Sequence, residues 1–431
     1  MKLDNKKTLL VGFAFLAICS FWQLYDNIVP LILKYVFNVG DTLSGVVMSL
    51  DNIFALFMLP LFGALSDKVT SKRGKRTPFI FVGTILASVF LILLPITATM
   101  RTLVGFIIAL LLVLVSMSTY RSPAVSLMPD VTPKPLRSKA NAIINLMGAV
   151  GGIIVLGLIK FLSPKENDGS YLTLALAVSF IMLLALVVLL LTINENKLVE
   201  ERIQTEKEWG IAEEVEEDEE TGTASLPRDV KKSLTFILLS VSFWFMAYNA
   251  VISAFSKYAT EVWGMAGGSY AGALMVGSVG AIIAYIPVGA ISSKLGRKKV
   301  ILFGVTLLAA CFAAGALFKT PNAGVYALFL TVGIAWASIN VNSYPMVVEM
   351  CKGSDIGKFT GMYYTFSMAA QVVTPILSGF LLEHVGYWTL FPYATVFAII
   401  AFVTMFQVKH GDSKPLDTKK GIEKFADMDV D

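Results

Sequence analysis

GALSDKVTSKRGKRTPFI, residues Gly63 to Ile80, lies between two long apolar segments, one ending into it and the other leaving it. Five of its residues are cationic: Lys68, Lys72, Arg73, Lys75 and Arg76. A cluster of that kind between two spans resists translocation and holds the loop on the cytoplasmic side of a bilayer. Gly63 suits close helix contact, because small residues let backbones approach in lipid. Asp67, at the inner end of the incoming segment, can pair with a cation of the same loop or accept from a neighbouring helix N-terminus.

The rest of the chain supports a membrane setting for this loop. Soluble chains carry about a quarter charged residues, whereas these 431 residues are 15% charged and 56% hydrophobic. The reading is a polytopic membrane protein. Its net charge of +4 is small and spread over short loops, which argues against nucleic acid as a partner. Cys19, Cys311 and Cys351 lie in or beside apolar segments without metal-ligand spacing, so neither a disulfide framework nor a metal site is expected. No cofactor is expected either. The basic start at Lys2, Lys6 and Lys7 precedes an apolar run that continues to about Leu33 without a small-residue cleavage site, which reads as a retained first span.

Segments of spanning length fall at 9–33, 43–66, 77–99, 102–127, 140–162 and 172–193, and then at 233–255, 270–292, 300–318, 324–348, 359–382 and 388–408. The predicted fold is all-α, with twelve transmembrane helices in two halves of six. The halves would be residues 1–193 and 233–408, joined by an acidic cytoplasmic linker, 194–232, and followed by a cytoplasmic tail, 409–431. Of the 35 Lys and Arg residues, Lys34, Arg101, Lys160, Lys165, Lys257 and Lys319 fall on outer loops and Arg121 within a span; the others lie on inner segments. The positive-inside rule therefore puts both termini in the cytoplasm. The linker carries the run Glu213 to Glu220, EEVEEDEE, whose like charges favour a solvated, flexible segment with some helix.

The halves repeat one another. Ser20-Phe21-Trp22 with Asn27 and Val29 matches Ser242-Phe243-Trp244 with Asn249 and Val251, at a constant offset of 222. Gly289 to Ser293 with Gly296-Arg297-Lys298 echoes Gly63 to Asp67 with Gly74-Lys75-Arg76, although Ser293 stands where Asp67 does. Parallel repeats related by an axis along the membrane normal place a substrate site between the halves near mid-membrane.

The basic stretch resembles the loop between helices 2 and 3 of the major facilitator superfamily, G-x-x-x-D-[RK]-x-G-[RK]-[RK], with Val69 to Arg73 filling the slot before Gly74. With Pro78-Phe79-Ile80 after it, it looks like the sucrose-transporter and glycoside-pentoside-hexuronide:cation symporter branch. A second stretch, Tyr120 to Gly152, carries Pro123, Asp130, Arg137, Ala140, Asn141, Ala149, Val150 and Gly151 at positions similar to those of plant sucrose carriers. The resemblance covers most of the N-terminal half and implies a major facilitator fold. It departs where the sucrose carriers have a helix 4 carboxylate and a following Arg; Leu114 and Val125 stand there. The paired Asp residues of melibiose-type carriers correspond to Ala55 and Leu59. Neither known coupling site carries over.

An ionisable side chain inside a span costs at least ~2.5 kcal/mol and usually has a partner or a wet cavity. Asp26 and Asp51 lie ~10 and ~12 Å below the outer ends of the first two spans, a matching depth. Facing each other, they would repel and one would favour holding a proton; a Na+ bound by their oxygens is the alternative. Structural bonding between the first two helices is the plainer reading of the pair. Arg121, ~27 Å down the fourth span, is expected to be too deep to meet them and to belong to an inner gate with Gly63, Asp67, Lys68, Gly74, Lys75, Arg76, Asp130 and Arg137. Sugar hydroxyls and flat sugar faces call for amides and aromatics. Trp22, Asn27, Asn52, Asn145, Tyr248, Asn249, Asn340, Asn342 and Gln371 are the candidate substrate residues. Tyr248 occupies the repeat position of Asp26, so ion coupling is expected in the N-terminal half and substrate grip in the C-terminal half.

These readings converge on a secondary active symporter, monomeric in the cell membrane, that couples H+ (alternatively Na+) to import of a glycoside or small oligosaccharide. A proton-driven exporter of amphipathic compounds is the rival within the class. A membrane enzyme finds little support, since His384 and His410 are the only histidines and no nucleophile–base pair is in evidence.

Overall fold

Proline, glycine and acidic residues mark where the apolar segments begin and end as helices. The structure, a computed structural model, describes residues 3–133, 136–209, 227–350 and 356–412. The first span joins α1 (Asn5–Val11), α2 (Phe13–Leu31) and a π-helical turn, Ile32–Val36. The first half continues with α3 (Asp41–Asp67), α4 (Thr77–Thr99), α5 (Leu103–Val131), α6 (Arg137–Leu162) and α7 (Leu172–Thr192). After α8 (Glu195–Glu208) the second half holds α9 (Arg228–Trp263), α10 (Ala271–Leu295), α11 (Arg297–Gly315), α12 (Ala323–Val348), α13 (Ile356–His384) and α14 (Leu390–Phe406). Twelve of the helical segments are long and apolar enough to cross a membrane, giving the all-α architecture of two six-helix halves. The end bearing the 63–80 loop is called the inner end below.

Local chemistry sets these bounds. Asp41 sits in the first turn of α3, where a negative charge complements the helix dipole. Pro78 occupies the first turn of α4, where its missing N–H costs nothing. Gly264, at φ +61°, ends α9 in the left-handed region. Small residues bring helices together as lipid-embedded packing requires. A Cβ on Gly63 would come within 2.9 Å of Ser122 Oγ on α5. Across the two halves, a Cβ on Gly45 would overlap the Pro375 carbonyl of α13, and one on Gly379 would overlap the Asp41 carbonyl. The halves meet through α3 with α13, α2 with α9, and α6 with α10.

Two expectations need correction. Lys257 does not lie on an outer loop: α9 runs on to Trp263 and buries it. The polar Ser256-Lys257-Tyr258-Ala259-Thr260-Glu261 sequence depresses hydropathy and ends an apolar window early, yet the backbone stays helical, with Lys257 and Glu261 finding partners across the interface. The linker is likewise not flexible from its start. Helix α8 begins three residues after α7, capped by the Asn194 side chain on Lys197 N–H, and its Glu195 is only 1% exposed. The acidic run Glu213 to Glu220 and the tail from residue 413 lie outside the described residues.

Candidate functional site

Three charged side chains gather midway along the first half. Asp26 on α2 lies within electrostatic reach of Asp51 on α3 and of Arg121 on α5, and Asp51 is itself within reach of Arg121. Arg121 holds its guanidinium 5.3 Å from the centre of the Trp22 ring, a cation–π distance. Arg121 makes no direct ion pair with Asp26 or Asp51, in keeping with its greater depth, but its charge acts on both. The π-helical turn carries the first span to Val36 and α3 starts at Asp41, so each acid sits about ten residues, or ~15 Å, below its outer end. Asn52 Nδ2 donates to Asp51 Oδ1 at 2.8 Å, fixing that carboxylate. The indole N–H of Trp22 and the Tyr25 hydroxyl are buried without a partner in the described structure.

On the second half, Tyr248 stacks on Trp336 at 3.8 Å between centroids and 8° between planes. Phe245 meets the same indole edge-on at 5.3 Å. Asn340 donates to Tyr285 Oη at 3.4 Å, Gln371 to the Ser367 carbonyl, and Asn249 Nδ2 is buried and unpartnered. Asn145 is exposed and donates to Asn141 on its own helix. Asn27 and Asn342 are different. Both are fully buried and donate to the carbonyl four residues back, Gln23 and Ser338. They offer no surface to a ligand and are corrected here to helix-packing positions.

The outer ends of the halves are locked by charge. Asp41, 4% exposed, accepts from Lys257 Nζ at 2.7 Å, Lys34 Nζ at 3.1 Å and Tyr387 Oη at 2.6 Å. Lys34 also donates to the Tyr387 hydroxyl and lies 4.3 Å from its ring centre. Tyr35 Oη donates to Glu261 at 2.6 Å, and Thr42 N–H to Glu383 at 2.7 Å. Lys34, Tyr35, Asp41 and Thr42 belong to the first half, and the rest to the second. The outer face is closed, and these cross-half bonds all lie toward it.

At the inner end the basic loop is folded against its own half. Arg76, 5% exposed, reaches Asp67 at 2.5 Å and Asp130 at 2.7 Å, and donates to Ser66 Oγ and the Gly63 carbonyl. Lys75 sits 3.3 Å from Asp67 and 3.4 Å from Asp130. Gly74 has φ +111°, a conformation that disfavours a side chain. Lys68 is exposed. Arg137 donates to the Pro129 and Thr132 carbonyls at the end of α5, a local cap rather than a contact between halves. Arg121, grouped with this loop on sequence grounds, makes no ion pair with Asp67 or Asp130; its guanidinium lies beside Trp22 and its charge acts on Asp26 and Asp51.

A sequence profile of the Major Facilitator Superfamily matches residues 11–344 and 237–427. The chain belongs to the Major Facilitator Superfamily. Among curated facilitators and related proteins it is 30% identical to the sucrose transport protein SUC3 of Arabidopsis thaliana over 136 residues, covering 27% of this chain and 23% of that one. It is 29% identical to the chloramphenicol resistance protein CraA of Acinetobacter baumannii over 124 residues, covering 29% of this chain and 30% of that one. The match therefore spans less than a third of either relative. The fold is similar to an inward-open xylose transporter XylE from E. coli, with TM-score 0.69 and 14% identity over 95% of this chain and 97% of that one. It is similar also to a POT family transporter in complex with a thioalcohol-conjugated peptide, with TM-score 0.69 and 11% identity over 92% and 94%. Family and fold make this facilitator a multi-pass membrane transporter of small molecules. Sequence reasoning missed its outer lock and the buried Glu195. The lock's bonds between the halves join residues more than 200 positions apart, which no local pattern marks.

Proposed function

We propose that this facilitator is a proton-coupled symporter that imports a glycoside or small oligosaccharide by alternating access, with both termini cytoplasmic. The observation that carries the reading is the gathering of Asp26, Asp51 and Arg121 on one half, with the stacked Tyr248–Trp336 pair on the other. Two carboxylates and one guanidinium sum to a single negative charge, and one proton neutralises the group. A neutral group crosses the occluded state at lower cost than a charged one. Aromatic faces with amides such as Asn249 and Asn340 beside them suit a sugar ring. In the cycle, the outer lock parts, proton and sugar enter, the lock re-forms around Asp41, and the inner ends separate to release both. The likeness to a sucrose transport protein over part of the chain supports the sugar class.

The test is uptake by purified protein in liposomes with a panel of radiolabelled glycosides, imposing pH and Na+ gradients separately. Accumulation driven by the pH gradient is the expected result, and accumulation driven by Na+ alone would replace the coupling ion. The partial likeness to a chloramphenicol resistance protein favours one rival, export of amphipathic compounds by proton exchange. Movement of chloramphenicol or a lipophilic cation, with no sugar accumulated under either gradient, would establish that rival.

A further inference from the structure

Glu195 opens α8, yet it is a deeply buried carboxylate. Its two oxygens accept from the backbone N–H groups of Lys75, Arg76 and Thr77 at 2.9 to 3.1 Å, and from Thr77 Oγ1 at 2.7 Å. Those N–H groups start α4, where they have no intrahelical acceptor and a negative charge is favoured. The positive φ of Gly74 does more than turn the chain. A Cβ there would overlap the Glu195 carboxyl group, so the glycine is also the hole in which the acid sits. The neighbouring Asn196 Nδ2 donates to the Ser71 and Lys72 carbonyls at 3.1 and 3.2 Å, and Lys7 pairs with Glu201 at 2.6 Å. Helix α8 is thus stapled to the basic loop and to α1.

The second half carries a fainter copy. Gly296 has φ +94° and stands 222 positions after Gly74. A Cβ on it would come 3.0 Å from Asp412 Oδ2, and Asp412 Oδ1 accepts from Lys298 N–H at 3.2 Å. Asp412 follows the last helix of its half, as Glu195 follows the last span of the first. Arg297 is buried and paired with Glu349 beyond α12, as Arg76 is with Asp130 beside the end of α5. An acid after the sixth span of each half seats the turn after its second. Only in the first half is the seat complete.

We propose that Glu195 is a positioning residue of the transport cycle. By seating the 74–77 turn it holds Arg76, and through Arg76 the inner ends of α3 and α5, in the shape on which inner closure docks. In the present state the inner half of α3 is largely open, with Leu56, Phe57, Leu61 and Leu65 exposed, and its contacts to α13 at Gly45 and Gly379 are made near the outer end. Closing the inner face must bring the end of α3, with the Asp67–Arg76–Asp130 brace beside it, against the second half. Loosening that brace costs both states the bonds of the seat, but only the inner-closed state also loses its docking surface, so the equilibrium shifts. The inference rests on alternating access but on neither the sugar nor the ion.

The experiment measures distances between spin labels at Leu65→Cys and Leu295→Cys, exposed sites at the inner ends of α3 and α10, in full-length protein in liposomes with the native cysteines replaced. Two distance populations are expected in the parent chain, and Glu195→Gln should shrink the short one at least ~5-fold. Gly74→Ala, which evicts the same carboxylate from the other side, should do likewise, and Glu195→Asp should recover part of the loss. Should Glu195→Gln fail to fold, Thr77→Val removes a single donor and should give a smaller shift in the same direction. An unchanged short population in Glu195→Gln and Gly74→Ala overturns the inference while leaving the proposed function standing. A parent chain with no short population under any gradient overturns alternating access and the inference together, whereas two populations without sugar uptake count only against the proposed function.

Discussion

Asp41 and Lys257 form the buried centre of the outer lock, each about 4% exposed. Removing one member of a buried pair leaves an unpaired charge, and the penalty falls only on the state that buries it. Asp41→Asn, which leaves the buried Lys257 without its acid, should therefore shift the protein toward an outer-open state by ~1–3 kcal/mol, while Asp41→Asn with Lys257→Met should shift it less. Labelling of a cysteine placed on the outer half of α2 by a membrane-impermeant maleimide reads both, and equal labelling in the single and double variants would count against the pair. Deeper in, Asp26 and Asp51 are the coupling candidates. Asp26→Asn or Asp51→Asn should abolish gradient-driven accumulation and spare exchange of labelled for unlabelled substrate. Full accumulation in both variants would move coupling elsewhere. The presence and depth of these two acids were readable from the sequence, because an acid in an apolar run is conspicuous. That Arg121 joins them was not, since a helical rise says nothing of where a long side chain turns.

Among the helices, α3 and α13 touch backbone to backbone near the outer end, where glycine on each side leaves no room for a branch. Gly45→Val or Gly379→Val should wedge the outer face open, with transport falling by at least ~10-fold while substrate still binds from outside. Unimpaired uptake in both variants would show that this approach is not needed for closure. Helix ends were legible where composition changes sharply, as at Thr77 and Thr99 around α4, which match the expected 77–99. They were illegible at the end of α9, where charged residues of a buried interface look like those of a loop. The start of α8 was hidden for a related reason. Asn194 and Glu195 read as linker, and only the fold reveals that Glu195 is the acceptor the N-terminus of α4 requires.

At the level of the whole protein, the sequence repeat announced two halves. The state in which the halves rest is not a local property. It follows from which end gathers cross-half bonds, and Lys34, Asp41, Lys257, Glu261, Glu383 and Tyr387 gather them at the outer end. Trypsin added to the inner side should spare Lys197 and Arg202 in native protein, because the helix that carries them, α8, is docked on the first half. Cleavage at either in native protein would contradict its docking. The face-to-face Tyr248 and Trp336 rings add something practical. Of the six tryptophans, Trp336 has a phenol lying flat upon it at van der Waals distance, so a guest that slid between or tilted the two rings would alter the indole's emission. The protein carries its own optical probe of occupancy, and Trp336→Phe would silence it.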